Sequence, residues 1–201
     1  MSELKVDKIS PATGANKVSL GDSGDTIEVP SGATFTNLGT ATGFGGGKLL
    51  QTVQTIVTAT SSVTSTSQTS FISRAITPTA TTSKILVTGH YTIGLNSVDA
   101  TTLHLVRDST EICLGDAYGS TRRRGLLGST YFVAVNRCFS GSFCFLDPNT
   151  PSDTTTAITY YLKAQSNGSG SIIYINRSAT GADDIWDGTG STTLILQEIG
   201  A

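Results

Sequence analysis

The residues best able to bind or react gather in two short stretches. Asp183, Asp184 and Asp187 surround Trp186. An indole ring can stack on a sugar face while nearby carboxylates accept its hydroxyl protons. The same acids offer hard oxygen ligands, but their spacing fails the calcium-loop pattern. Turn acids also serve their own backbone, so an Asx-rich turn with Trp186 packed over an edge is the competing reading. The second stretch is Arg122-Arg123-Arg124, the one run of charge. Guanidinium groups suit the phosphate or carboxylate of a cell-surface polymer. A solvated loop tip, or ion pairs between subunits, would use the same three residues.

Catalysis has no comparable cluster. The two histidines, His90 and His104, each stand inside a strand-like run. There is no G-x-S-x-G motif, and Cys113, Cys138 and Cys144 have no nucleophile setting. Glycoside hydrolysis needs two carboxyl groups ~5–9 Å apart, and the chain offers no convincing pair. P-loop, dinucleotide and zinc patterns are absent from the sequence. The expectation is a binding or structural protein rather than an enzyme, with no cofactor and no metal. Three cysteines cannot all pair, and those in apolar runs read as small buried hydrophobes. Asn167 and Asn176 head N-x-[ST] sequons. Sequons have meaning only for a secreted chain, and Met1–Lys5 carries no apolar signal core.

The elements that must position these residues are strands. Of 201 residues, 37% are hydrophobic and only 14% charged. Threonine, serine and glycine fill the gap, and β-branched residues outnumber helix formers. A formal net charge of −2 gives no basic signal for nucleic acid or an anionic membrane. No stretch approaches the ~20 apolar residues of a membrane span. The expectation is a soluble chain made in the cytosol. From Lys48 onward, runs with period-two alternation predict about eight to ten strands, spaced as in a sandwich or barrel. Lys84–Leu95 reads as central. Residues 130–136 and 139–146 read as neighbouring strands. Residues 158–165 and 172–176 read as a hairpin, and Thr60–Gln68 as a loop. Gly115–Gly128 and Asp183–Gly190 are the polar loops that hold the two candidate stretches.

Residues 1–42 are different. Their apolar dyads (Leu4 with Val6, Val18 with Leu20, Ile27 with Val29) are separated by the turn signals Pro11–Gly14, Gly21–Gly24 and Pro30–Gly32. A piece this short rarely folds without disulfide, metal or oligomer, and burial against copies of itself is the remaining route. Gly43, Gly45, Gly46 and Gly47, with Phe44 among them, form a hinge at residues 43–47. The domain reading is 1–42 attachment and trimerising segment, 43–47 hinge, 48–201 head.

The opening Ser2-Glu3-Leu4-Lys5-Val6-Asp7-Lys8-Ile9-Ser10-Pro11, with Gly21–Thr26 and Val29-Pro30-Ser31-Gly32-Ala33, resembles the start of fibre-type structural proteins of tailed bacteriophages, notably marine cyanophages. The ending Thr192–Ala201 is similar to the closing strand of their β-sandwich tip domains. The resemblance implies an all-β homotrimer on the virion, on the tail or capsid surface. Its short extended or interlaced N-terminal segment would contact other virion proteins. Its jelly-roll-like C-terminal head would adhere to a host cell-surface glycan. The chain is shorter than a long fibre and lacks repeated shaft units. Head fibre and capsid or tail decoration protein therefore stay open beside short tail fibre. A lectin-like module and a depolymerising tailspike are the rivals from other classes.

Overall fold

The computed structural model describes residues 24–26, 28–34, 36, 48–96, 100–131, 137–148, 155–168, 170–185 and 187–200. The hinge glycines Gly43, Gly45, Gly46 and Gly47, and most of the attachment segment, lie outside these residues, as does Trp186. By backbone contact the chain divides into two units, Met1–Phe44 and Gly45–Ala201. In the first, the Pro30–Gly32 turn signal is a turn. Ala33 N–H donates to Pro30 O over 3.0 Å, and Gly32 takes φ 87°, which glycine adopts without strain.

The second unit is all-β, with no helix among its described residues. In chain order the strands are β1 (Leu49–Val57), β2 (Ser61–Val63), β3 (Thr69–Ile76), β4 (Lys84–Leu95), β5 (Ala100–Arg107), β6 (Thr110–Ile112), β7 (Leu127–Tyr131), β8 (Phe139–Asp147), β9 (Ile158–Ser166), β10 (Ile173–Ile175) and β11 (Thr192–Ile199). Every pairing is antiparallel. Three pairs are collinear. β10 and β11 lie end to end along β4, β2 continues the line of β1, and β6 and β7 share the flank of β5. The first sheet therefore runs β8, β4, β10/β11, β2/β1, and the second runs β6/β7, β5, β9, β3.

The two sheets bury a common core, the arrangement of a sandwich. Ile85, Val87, Leu194 and Leu196 from the first meet Ile72, Leu105, Tyr160 and Leu162 from the second. β11 displays the alternation plainly: Thr192, Leu194, Leu196 and Glu198 are buried, and the residues between them are half-exposed. In the β4–β8 ladder, Gly89 faces Phe143 and Tyr91 faces Gly141. Each ring lies over the opposite glycine, and a Cβ at either would come within 2.5 Å of it. Along one side of the sandwich, β1 side chains cover the edge of β3. Gln51 Nε2 donates to Thr77 O over 2.7 Å and Thr55 Oγ1 to Ser73 O over 3.1 Å.

One expected pairing is corrected, and another falls mostly outside the described residues. Of the expected 130–136 strand only residues 130 and 131 are described; they end β7, which joins β5 in the second sheet, whereas β8 joins β4 in the first. β9 and β10 also lie in opposite sheets, so Asn167–Gly170 is a crossing between sheets and not a hairpin loop. Period-two patterning reports which face of a strand is buried, not which strand lies beside it. The Thr60–Gln68 stretch contains the short β2.

Glu198 is buried inward, where Leu or Val is the usual occupant. Its carboxylate accepts from Gln51 Nε2 (2.6 Å), Thr79 N (2.8 Å), Thr79 Oγ1 (2.9 Å) and Ala80 N (3.2 Å). It thereby anchors the β3–β4 turn. Burial pushes its pKa up, but the bonds from Gln51 and Thr79 outweigh burial and hold it below the ordinary carboxylate value. A depressed folded pKa stabilises the fold at pH above the unfolded carboxylate value, ~4.3. That stability is lost as pH falls through this value toward the folded one. We expect Glu198→Gln to flatten the acid limb of a stability-versus-pH curve measured by urea titration. An unchanged acid limb would show that Glu198 is not the group responsible.

Candidate functional site

The sandwich has a direction. At its proximal end lie Leu49, Lys84, Arg107, Ile158 and Ile199, and Gly200 N–H donates to Lys48 O over 2.8 Å. At its distal end lie Val63, Leu95, Ala100, Ser166 and Ile173. β4 runs from one to the other, roughly 35–40 Å at ~3.3 Å per residue. The chain thus enters this unit at the proximal end.

Two excursion loops interrupt strand lines that would otherwise be continuous. The first, residues 113–126, leaves after β6 and re-enters at β7. The second, residues 176–191, leaves after β10 and re-enters at β11. Both bear on the distal half. Gly125 packs on Leu103 O and Thr102, Arg177 O and Ser178 crowd Gly94, and Gly190 packs on Thr92. The two most exposed large apolar side chains of the described residues sit on them, Ile185 at 90% and Tyr118 at 72%. Folding gains nothing from such exposure, so these tips are suited to contact something else.

In the first loop the arginine run splits three ways. Arg124 Nε donates to Gly115 O over 2.6 Å and closes the loop's foot. Arg123 Nη1 donates to Ser166 O over 3.3 Å and ties the loop to the end of β9. Arg122 lies over the Tyr118 ring, its Cζ 4.5 Å from the centroid. Arg122 and Arg123 then line an open hollow of about 560 Å³ with Thr121, Gly128 and Asn167. That volume lies within the range of small-molecule sites. Neither arginine is paired with a carboxylate among the described residues. The hollow therefore offers cationic, hydroxyl and amide groups to an anion.

In the second loop the acids divide. Asp187 accepts from the Ser178 and Thr180 hydroxyls, which hold its carboxyl below the usual range. It shapes the loop. Asp183 and Asp184 remain exposed at the tip beside Ile185. Arg177 stacks on Tyr174 at 4.1 Å and donates to Ser178 O. Cys138 Sγ donates to Gly188 O over 3.3 Å, and burial together with the Asp187 charge pushes the thiol's pKa up. The sequence cluster is therefore part scaffold and part display, and it does not share the arginine hollow's lining.

Sequence reasoning missed two polar knots. The first is Asn176, fully buried, with φ 61°. Its Nδ2 donates to Val57 O (2.8 Å) and Ala59 O (3.0 Å), and its Oδ1 accepts from Thr192 Oγ1 (2.8 Å). It bridges the breaks in β1/β2 and β10/β11 together. The N-x-[ST] match drew attention to this residue for an unrelated reason. The second knot is His104, 3% exposed, with Nδ1 3.3 Å from Glu111 Oε2 and Nε2 3.2 Å from Gln165 Oε1. Gln68 joins Glu111, and Gln165 Nε2 donates to Thr66 O. The knot fastens the β2–β3 loop to the outside of the second sheet. Both ring nitrogens of this strand histidine thus face side-chain partners. No protein-family model and no curated protein matches this chain.

Proposed function

We propose that the chain is a structural virion protein of a tailed phage. It is a short tail fibre or fibre-like appendage, a homotrimer whose distal loops adhere to host-surface glycan. The polarity of residues 48–200 carries this reading. The chain enters at the proximal end, where the attachment segment joins, and both excursion loops bear on the distal half. A jelly-roll head is supported by the strand lines. Two sheets of four lines each are joined so that nearly every successive line crosses to the other sheet, and only the β5–β6 turn stays within one. The arginine hollow is the contact site of choice, because its guanidinium groups, paired with no carboxylate among the described residues, fit the acidic sugars or phosphates of a cell envelope. Three weak sites on one rigid head reinforce one another.

The test is an array of acidic and neutral envelope glycans probed with the full chain. Acidic glycans are expected to bind. The double substitution Arg122→Ala and Arg123→Ala should weaken binding at least tenfold, since each charge-assisted hydrogen bond contributes ~1.5–3 kcal/mol. Antibody labelling of intact particles should decorate the tail or capsid surface. Unlabelled particles would defeat the virion assignment, and labelled particles with no glycan binding would leave a decoration protein.

A further inference from the structure

We infer that the outer face of the first sheet, built by β8, β4, β11 and β1, is the surface on which copies of this chain pack together. Among the outward positions of these four strands only Lys84 is charged, and it lies at the proximal margin. The remainder are aliphatic, hydroxyl, amide, imidazole or thiol groups. One central row runs Cys144, Thr88, Ile195, Gln54 across all four strands. Ile56 at 56% and Leu146 at 47% exposed flank this row. The second sheet is unlike this outside: Lys163 and Glu111 stand there beside the buried His104 knot.

The occupant follows from charge and area. A surface that meets its own copy meets its own charges, and like charges brought together repel. A face with one lysine at its edge is free of that penalty. The same lack of charge gives no electrostatic steering toward a differently composed partner. Four strand lines ~4.8 Å apart and about eight residues long at ~3.4 Å each present roughly 500 Å². Two such faces bury about 1,000 Å², the size at which a lasting interface becomes expected. The arginine hollow stays open, because it belongs to the second sheet's flank, while the second excursion loop, packed on the outward Thr92 and Gly94, borders the distal end of the proposed face. The number of copies rests on the trimeric reading above, in which this face would line the threefold axis so that residues on the axis meet their own equivalents; the choice of face does not depend on that number.

Cys144 is a built-in probe, being free, exposed on the single chain and central to the face. The experiment measures the mass of the full chain by light scattering at micromolar concentration, together with maleimide labelling mapped by peptide mass. The native chain is expected to be a multiple of the monomer, with Cys144 labelled at least tenfold more slowly than in Thr88→Lys. Thr88→Lys should be monomeric with an unchanged far-ultraviolet spectrum. Ser73→Lys, outward on the second sheet, should leave the oligomer intact. An oligomer whose Cys144 labels at the free-thiol rate overturns the face while sparing the trimer. A native monomer with open Cys144 overturns both and leaves the face to a different protein.

Discussion

Asp147→Asn is expected to cost about 3–5 kcal/mol, the toll of breaking one half of a buried ion pair. Asp147 is fully buried at the end of β8, and Arg107 Nη1 from β5 lies 2.7 Å from both of its oxygens. Tyr160 Oη from β9 donates to the same carboxylate over 2.9 Å. The cluster stitches the two sheets at the proximal end. Burial, then the Asp147 charge, push the Tyr160 pKa far above the ordinary phenol value, so the ring keeps its proton and its role as donor. An asparagine keeps the shape but removes the carboxylate charge facing Arg107 and turns an amide N–H₂ toward Arg107 or Tyr160, both of which are donors. At ~2–4 °C per kcal/mol for a domain of this size, the midpoint should fall by roughly 6–20 °C. Arg107→Met combined with Asp147→Leu should be markedly less damaging than the single change, because no charge is then left alone. Calorimetry of the single and double variants decides it. A single variant within 1 kcal/mol of native would show that water reaches the pair.

Asn176→Ala should approach that loss by a different route. Val57 O, Ala59 O and Thr192 Oγ1 would each lose a buried partner, at ~1–3 kcal/mol apiece as an upper range. Alanine would also be forced into the left-handed region that Asn176 occupies at φ 61°, at ~1–2 kcal/mol. Partial relaxation brings the expected total to about 3–5 kcal/mol. Asn176→Gly separates the two causes: it retains the backbone conformation and should recover about 1 kcal/mol of the loss. Asn176→Asp should be no better than alanine, since a carboxylate cannot donate to two carbonyls. Urea titration gives the energies, and amide exchange should show opening at 57–61 and 189–193. Protection unchanged at those positions would remove Asn176 from its linking role.

Both residues show what the sequence carries and what it hides. The strands themselves were legible, since runs such as Lys84–Leu95 and Thr193–Ile199 are dense in aliphatic and β-branched residues and are bounded by turn chemistry. Their partners were not, because successive lines cross between sheets while a linear reading favours adjacent hairpins. Facing was legible only where polarity cooperated. In β11, Ile195 points outward and Glu198 inward. The bonds that make burial of Glu198 tolerable come from Gln51 and Thr79, far away in the chain. The loops were found nearly in place, but the second begins at residue 176, seven positions before the expected start, because turn chemistry is dense only near its tip. The arginine run was visible as charge, and its three separate destinations were not, since they depend on Tyr118, Ser166 and Gly115. Trp186, the residue that first suggested sugar stacking, lies outside the described residues.

The feet of the excursion loops set the terms on which such a surface can vary. Gly190 N–H meets Asn176 O over 2.9 Å, so the second loop ends where it starts. The Arg124 side chain closes the first on Gly115. An insertion between joined feet leaves the ladder register untouched, and doubling a flexible loop's length costs only ~0.6 kcal/mol in closure entropy. The sandwich thus behaves as a socket with two exchangeable plugs. Loop length and tip chemistry can drift, or be engineered by grafting foreign peptides, at little thermodynamic expense to the packed core between the sheets beneath.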